Sequence, residues 1–150
     1  MKIVRLILST ASALLLAVSY SGLAVAEIAV SLTESDVEWG PCPAFFPAGC
    51  EIAVLHGDPS QPNTDIFFRV PGNYSFPAHN HTSAERMVLI SGEMNVNYVG
   101  QETTQLVPGS YAYGPPLAVH DGSCVSAEPC LLFIAFEDPV DAMEFIDGND

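Results

Sequence analysis

Lysine is all but missing from this chain: Lys2 is the only one, and beyond residue 26 the only cations are Arg69 and Arg86. All 18 acidic residues lie in that same stretch, so 2 positive charges face 18 negative ones there, a net charge of −16 against −14 for the whole chain. Such a surface repels phosphate backbones and anionic lipid headgroups, which excludes nucleic-acid binding and electrostatic attachment to membranes. Schiff-base chemistry on a lysine and nucleotide binding by a phosphate loop are excluded with it. The acid excess itself reads as a solubilising coat. Long apolar runs are also lacking after residue 26, so no later segment is long enough to span a bilayer, which takes about 20 apolar residues. Helical periodicity is equally scarce. The 12 prolines, and all but one of the 11 glycines, cut this region into short apolar runs, a pattern that favours strands over helices.

What is present begins with a leader. Lys2 and Arg5 precede an apolar stretch from Leu6 to about Val18, and Ala24-Val25-Ala26 has the small-x-small form of a secretory cleavage site. Serines, a threonine and a tyrosine interrupt the stretch too often for a membrane anchor. We expect a signal peptide over residues 1–26, a mature chain from Glu27, and an exported protein, periplasmic or secreted. Cys42 and Cys50, and Cys124 and Cys130, form two close pairs. Outside the reducing cytosol the default is two local disulfides, although four cysteines allow three pairings, and a free Cys124 near His120 would be a metal ligand or a reactive thiol.

Residues 27–150 are read as a single domain, with a barrel core over about 51–137. Strands are predicted over Glu27–Thr33, Glu51–His56, Asp65–Val70, Tyr74–His81, Glu85–Ser91, Glu93–Val99, Thr103–Val107, Ser110–Tyr113, Ala118–Asp121 and Leu131–Glu137, with one short helix over Asp138–Ile146. Trp39 to Cys50 has no clear period and reads as a loop pinned by its cysteines. The class is an all-β sandwich or barrel.

The chemistry concentrates in His79, His81, Glu85 and His120. In a strand alternate side chains share a face, so His79 and His81 project the same way, roughly 6.5 to 7 Å apart. Both imidazoles therefore reach one ion. Glu85 follows after a tight bend, and His120 joins if a second strand pair folds over the first. If Glu85 points inward, so do Met87 and Leu89; Ser91-Gly92 then makes a hairpin turn, and Met94, Val96 and Tyr98 face the same pocket. Arg86 points away. Tyr74, Phe76, Tyr98, Tyr111 and Tyr113 are candidates for an aromatic mouth. His56, in a Leu-His-Gly-Asp turn, reads as a surface histidine.

These residues carry a resemblance. Gly72-x6-His79-x-His81-x3-Glu85-x6-Gly92 resembles the first cupin motif, and Gly109-x5-Pro115-x4-His120 the second. This chain has one extra residue between Gly72 and His79, Leu117 where the second motif usually has glycine, and Cys124 where asparagine is frequent. The resemblance covers Gly72 to His120, and the strand pattern extends it from about Glu51 to Glu137. It implies a double-stranded β-helix, or jelly roll, with one divalent ion held inside by His79, His81, Glu85 and His120. Residue types admit Mn, Fe, Ni or Co, and also Zn or Cu. An open coordination position would let a small oxygenated molecule chelate the ion, with Glu85 as a base. The expected function is a mononuclear metal-dependent enzyme, dioxygenase-, decarboxylase- or isomerase-like; the alternative is a non-catalytic metal- or ligand-binding or structural module. The resemblance also suggests a homodimer.

Overall fold

Short apolar runs of alternating side chains satisfy their backbone groups by pairing laterally, and this chain does so almost throughout. A computed structural model describes residues 32–146, and among the described residues there is no helix. The strands are β1 (Gly40–Pro41), β2 (Glu51–His56), β3 (Thr64–Val70), β4 (Tyr74–Asn80), β5 (Glu85–Ser91) and β6 (Met94–Tyr98). They continue with β7 (Thr104–Leu106), β8 (Tyr111–Gly114), β9 (His120–Cys124), β10 (Cys130–Phe136) and β11 (Met143–Glu144). One sheet has the order β1-β2-β3-β10-β5-β8 and the other β11-β4-β9-β6-β7.

The pairing is nested. Antiparallel ladders join β3 to β10, β4 to β9, β5 to β8 and β6 to β7, and successive pairs alternate between the two sheets. This is one long hairpin wound into a double-stranded β-helix, the expected jelly roll. Side-chain alternation then fixes the core: Met87 and Leu89 of β5, Met94 and Val96 of β6, and Leu132, Ile134 and Phe136 of β10 are buried in one cluster. Leu89 has no exposed surface, so truncating it to alanine should cost about 2–5 kcal/mol through lost transfer energy and a residual cavity.

The predicted strands β2 and β5 have the predicted bounds, and most others shift by a residue; β9 starts at His120 and runs on to Cys124. Two expectations are corrected. The helix over Asp138–Ile146 does not form: Asp141 is held across the site by Thr82 and His81, and Met143 and Glu144 pair with Asn80 and His79 as β11. Ser91-Gly92 is a turn, but not a hairpin. With φ +81 at Gly92 the chain crosses from one sheet to the other, and a Cβ there would meet Cys130 Sγ at 2.7 Å; only glycine fits both the backbone angle and the contact. The expected leader, residues 1–26, lies outside the described residues, as does most of the expected Glu27–Thr33 strand; Leu32 and Thr33 are not in a strand.

The cysteines pair locally, Cys42 with Cys50 and Cys124 with Cys130, leaving none free. Among the described residues both arginines are occupied away from the barrel interior. Arg69, in β3 between β2 and β10, bonds Glu51 at 2.7 Å and Glu34 at 3.2 Å and lies 3.8 Å over the Trp39 ring. Arg86, in β5 between β10 and β8, pairs with Glu137 and, as expected, points outward.

Candidate metal centre

The winding brings the ends of three strands together. His79 lies in β4, His81 just past its end, Glu85 opens β5 and His120 opens β9, opposite His79 in the β4–β9 ladder. All four are buried. The ring centroids of His79 and His120 are 4.3 Å apart, those of His79 and His81 4.9 Å, and those of His81 and His120 5.4 Å. One ligand atom from each histidine lies within 4.8 Å of the others. Donors on opposite sides of an ion, at about 2.1 Å each, would stand a little over 4 Å apart, so the three imidazoles are gathered to within about half an ångström of the widest spacing a shared ion allows.

Their orientation follows from the backbone. His79 Nδ1 donates to the Pro77 carbonyl at 2.8 Å, His120 Nδ1 to the Ala118 carbonyl at 3.1 Å, and His81 Nδ1 to the Asp141 carbonyl. A carbonyl only accepts, so each Nδ1 carries the proton and each Nε2 keeps its lone pair. His81 Nε2 is buried without a hydrogen-bond partner. An orphaned acceptor of this kind is costly in a folded protein unless something fills it, and a cation is the natural occupant of a pocket of lone pairs.

Glu85 completes the group, with Oε1 3.4 Å from His81 Nε2 and Oε2 3.8 Å from His120 Nε2. Without a cation these contacts are not ion pairs. Burial pulls His79 down to about 3 and His120 to about 4, each reinforced by a neighbouring imidazole, and burial also lowers His81. Burial, with the charge of Asp141 second, pushes Glu85 up to about 8. The centre is therefore uncharged at neutral pH, and a divalent ion would reverse that by stabilising the carboxylate. The residues fit a metal: three nitrogen donors, one ionisable oxygen donor and an unsatisfied atom among them.

Around this group lies a cavity of about 240 Å³ between the sheets. Phe46, Phe68 and Phe76 form an aromatic wall, with centroids 5.7 to 6.2 Å apart, and Phe46 also packs edge-on to His79 at 5.1 Å. Of the aromatics proposed for a mouth, Phe76 lines the cavity and Tyr98 packs on His120 at 4.9 Å. Tyr74 is buried elsewhere, its hydroxyl on the Pro47 carbonyl, and Tyr111 and Tyr113 face solvent on β8, 61% and 50% exposed. His56 is exposed and outside the site, as expected.

Two contributors escaped the sequence reading. Phe46 sits in the aperiodic loop closed by Cys42 and Cys50, and only the paired cysteines signalled a fixed conformation there. Asp141 belongs to the strap that crosses the site before β11. Its carboxylate holds the Thr82 amide at 2.9 Å and the Thr82 hydroxyl at 2.6 Å while its carbonyl orients His81.

A jelly roll whose β4–β9 pair turns its histidines inward, with a glutamate at the start of β5 beside them, is the architecture of a cupin. The chain belongs to the ChrR cupin-like domain family, whose profile matches residues 27–139. Among solved structures it is similar to a DMSP lyase (18% identity, TM-score 0.65, covering 74% of this chain and 63% of that one). It is also similar to the polyketide cyclase RemF of Streptomyces resistomycificus (16% identity, TM-score 0.68, 82% and 89%) and to oxalate decarboxylase of Bacillus subtilis (17% identity, TM-score 0.58, 67% and 29%). At these identities the likeness is one of fold. The chain spans less than two thirds of the lyase. No curated protein matches it.

Proposed function

We propose that this chain is a mononuclear metal-dependent enzyme in which His79, His81, Glu85 and His120 hold one divalent ion beside a small oxygenated substrate that chelates it. The donor set carries this reading: three imidazole nitrogens with their lone pairs turned inward and one buried carboxyl, behind walls that exclude water. Such an ion supplies Lewis acidity to an oxygen bound next to it. The chain's own part is to fix the three imidazoles through Pro77, Ala118 and Asp141, to keep bulk water out, and to supply the Glu85 carboxylate. Released from the ion, that buried carboxylate is placed to take a proton from a bound substrate and return it. Similar barrels that serve as a lyase, a cyclase and a decarboxylase support rearrangement or elimination on a small molecule over hydrolysis.

The two disulfides favour an oxidising compartment, which supports export of a mature single-domain chain from Glu27, and we keep a homodimer as the proposed assembly. Among the described residues no helix is long and apolar enough to cross a membrane. The test is to purify the chain from Glu27 without added metal and measure its ion content by mass spectrometry beside a His79→Ala/His81→Ala variant. One equivalent of Mn, Fe, Ni, Co or Cu, lost in the variant, is the expected result. A protein that stays metal-free after reconstitution overturns the proposal, and tightly held, catalytically inert Zn moves it to a binding or structural module.

A further inference from the structure

We propose that the cavity takes an uncharged molecule of a single ring, with two adjacent oxygen donors on one edge. The donor half of this statement rests on the metal reading above; the ring half rests on the cavity alone. Shape comes first. The apolar walls include Phe46, Phe68, Phe76, Leu132, Ile134 and Phe136, with no hydrogen-bonding side chain among them, and Phe46, Phe76 and Phe136 pack directly against the histidines. A dry apolar cavity of about 150 Å³ is enough to bind benzene, so 240 Å³ holds one substituted ring beside an ion. Three phenyl faces converging at 5.7 to 6.2 Å offer edge and face contacts to a planar guest.

Charge excludes the small anions. No arginine or lysine lines the cavity; Arg69 is tied to Glu34, Glu51 and Trp39, and Arg86 to Glu137, outside it. Apart from the histidines and Glu85, the ionisable side chain on the cavity lining is that of Asp141, an anion. A dicarboxylate would give up its hydration to enter an acidic protein whose only compensating charge is the ion, whereas a neutral ring gains from burial at every wall. Two adjacent oxygens are the polar complement, because all the polar groups that face the cavity are gathered at its metal end.

The test uses Co(II) as the metal and its visible absorption as the readout. The Co(II)-loaded protein is titrated with maltol, a neutral single ring with adjacent hydroxyl and carbonyl oxygens, and with oxalate, a charged chelator of similar bite. Maltol should bind at least tenfold tighter than oxalate, and Phe46→Ala should weaken maltol about tenfold but oxalate less than twofold. In parallel, the metal-free protein is titrated with phenol while the methyl signals of Met87 and Met94, both on the cavity wall, are followed by NMR. They should shift. Equal or tighter binding of oxalate, or methyl signals unmoved by phenol, overturns the inference. A protein that takes up no Co(II) yet shows the phenol shifts overturns the metal reading and the donor half with it, and upholds the ring.

Discussion

Glu85 makes the affinity of this site for metal depend on pH in a way its histidines do not. Between pH 6 and 8 the folded protein already keeps His79, near 3, and His120, near 4, neutral, and burial lowers His81 as well, so the histidines contribute little to the proton balance of binding an ion. Glu85, raised to about 8, is still protonated over most of that window and must release one proton to become a ligand. One proton per ion gives close to a tenfold gain in affinity per pH unit well below 8 and less as Glu85 itself ionises, so Co(II) should bind about 50-fold tighter at pH 8 than at pH 6, about 2.3 kcal/mol. Above pH 8 the curve should flatten. The assay is competition against a chromophoric chelator at half-unit pH intervals, corrected for the chelator's own protonation. Glu85→Gln removes the proton as well as the charge, so its affinity is weaker but constant across the window. A flat wild-type profile, or a unit slope retained in Glu85→Gln, would refute the reasoning, because the proton would then come from elsewhere or not at all.

The metal-free protein should itself be most stable near pH 6.5. Below that, the unfolded histidines take up protons that the buried ones refuse, so stability falls with falling pH; above it, Glu85 keeps a proton the unfolded chain has already lost, so stability declines as pH rises towards 8. Urea midpoints of chelator-treated protein from pH 4 to 9 check the maximum. Leu117 holds φ +62 while 61% exposed, a left-handed conformation costing about 1–2 kcal/mol outside glycine. Leu117→Gly should stabilise the protein by up to about 1 kcal/mol after the added freedom of the unfolded chain is subtracted, read as a raised melting temperature. Replacing Cys42 and Cys50 by alanine should cost about 2–3 kcal/mol and, by freeing Phe46 from the aromatic wall, weaken maltol binding more than Co(II) binding.

The sequence made legible whatever depends on local period. Alternation through Met87, Leu89, Met94 and Val96 marked the inner face, and the close spacing of His79, His81 and Glu85 marked the donors. Leu117 shows how far that reach extends: it replaces the glycine usual in the second motif, yet the backbone keeps the turn a glycine would make, donating its amide to the His81 carbonyl at 2.7 Å. Non-local pairing was not legible. A two-residue strand such as β11 has no period to detect, and its partner is over 60 residues away in β4. The Gly92 turn was visible as a turn, but whether it returns a strand to its neighbour or sends it to the opposite sheet depends on β10, which arrives later in the chain and packs Cys130 against it. Phe46 was hidden because a disulfide, and not a repeating pattern, fixes its loop.

The placement of the two arginines also bears on how the protein meets proteases. An enzyme that cuts after lysine or arginine has only two targets beyond residue 26, at Arg69 and Arg86. Each lies in a strand hydrogen-bonded to a neighbour on both sides. Each stands one residue inside the end of its strand and is paired on both sides, so cutting requires that strand end to leave two ladders at once. Tryptic digestion of this chain therefore reports the opening of the barrel itself, and its rate, measured with and without bound metal, gives the free energy that the ion contributes to keeping the barrel closed.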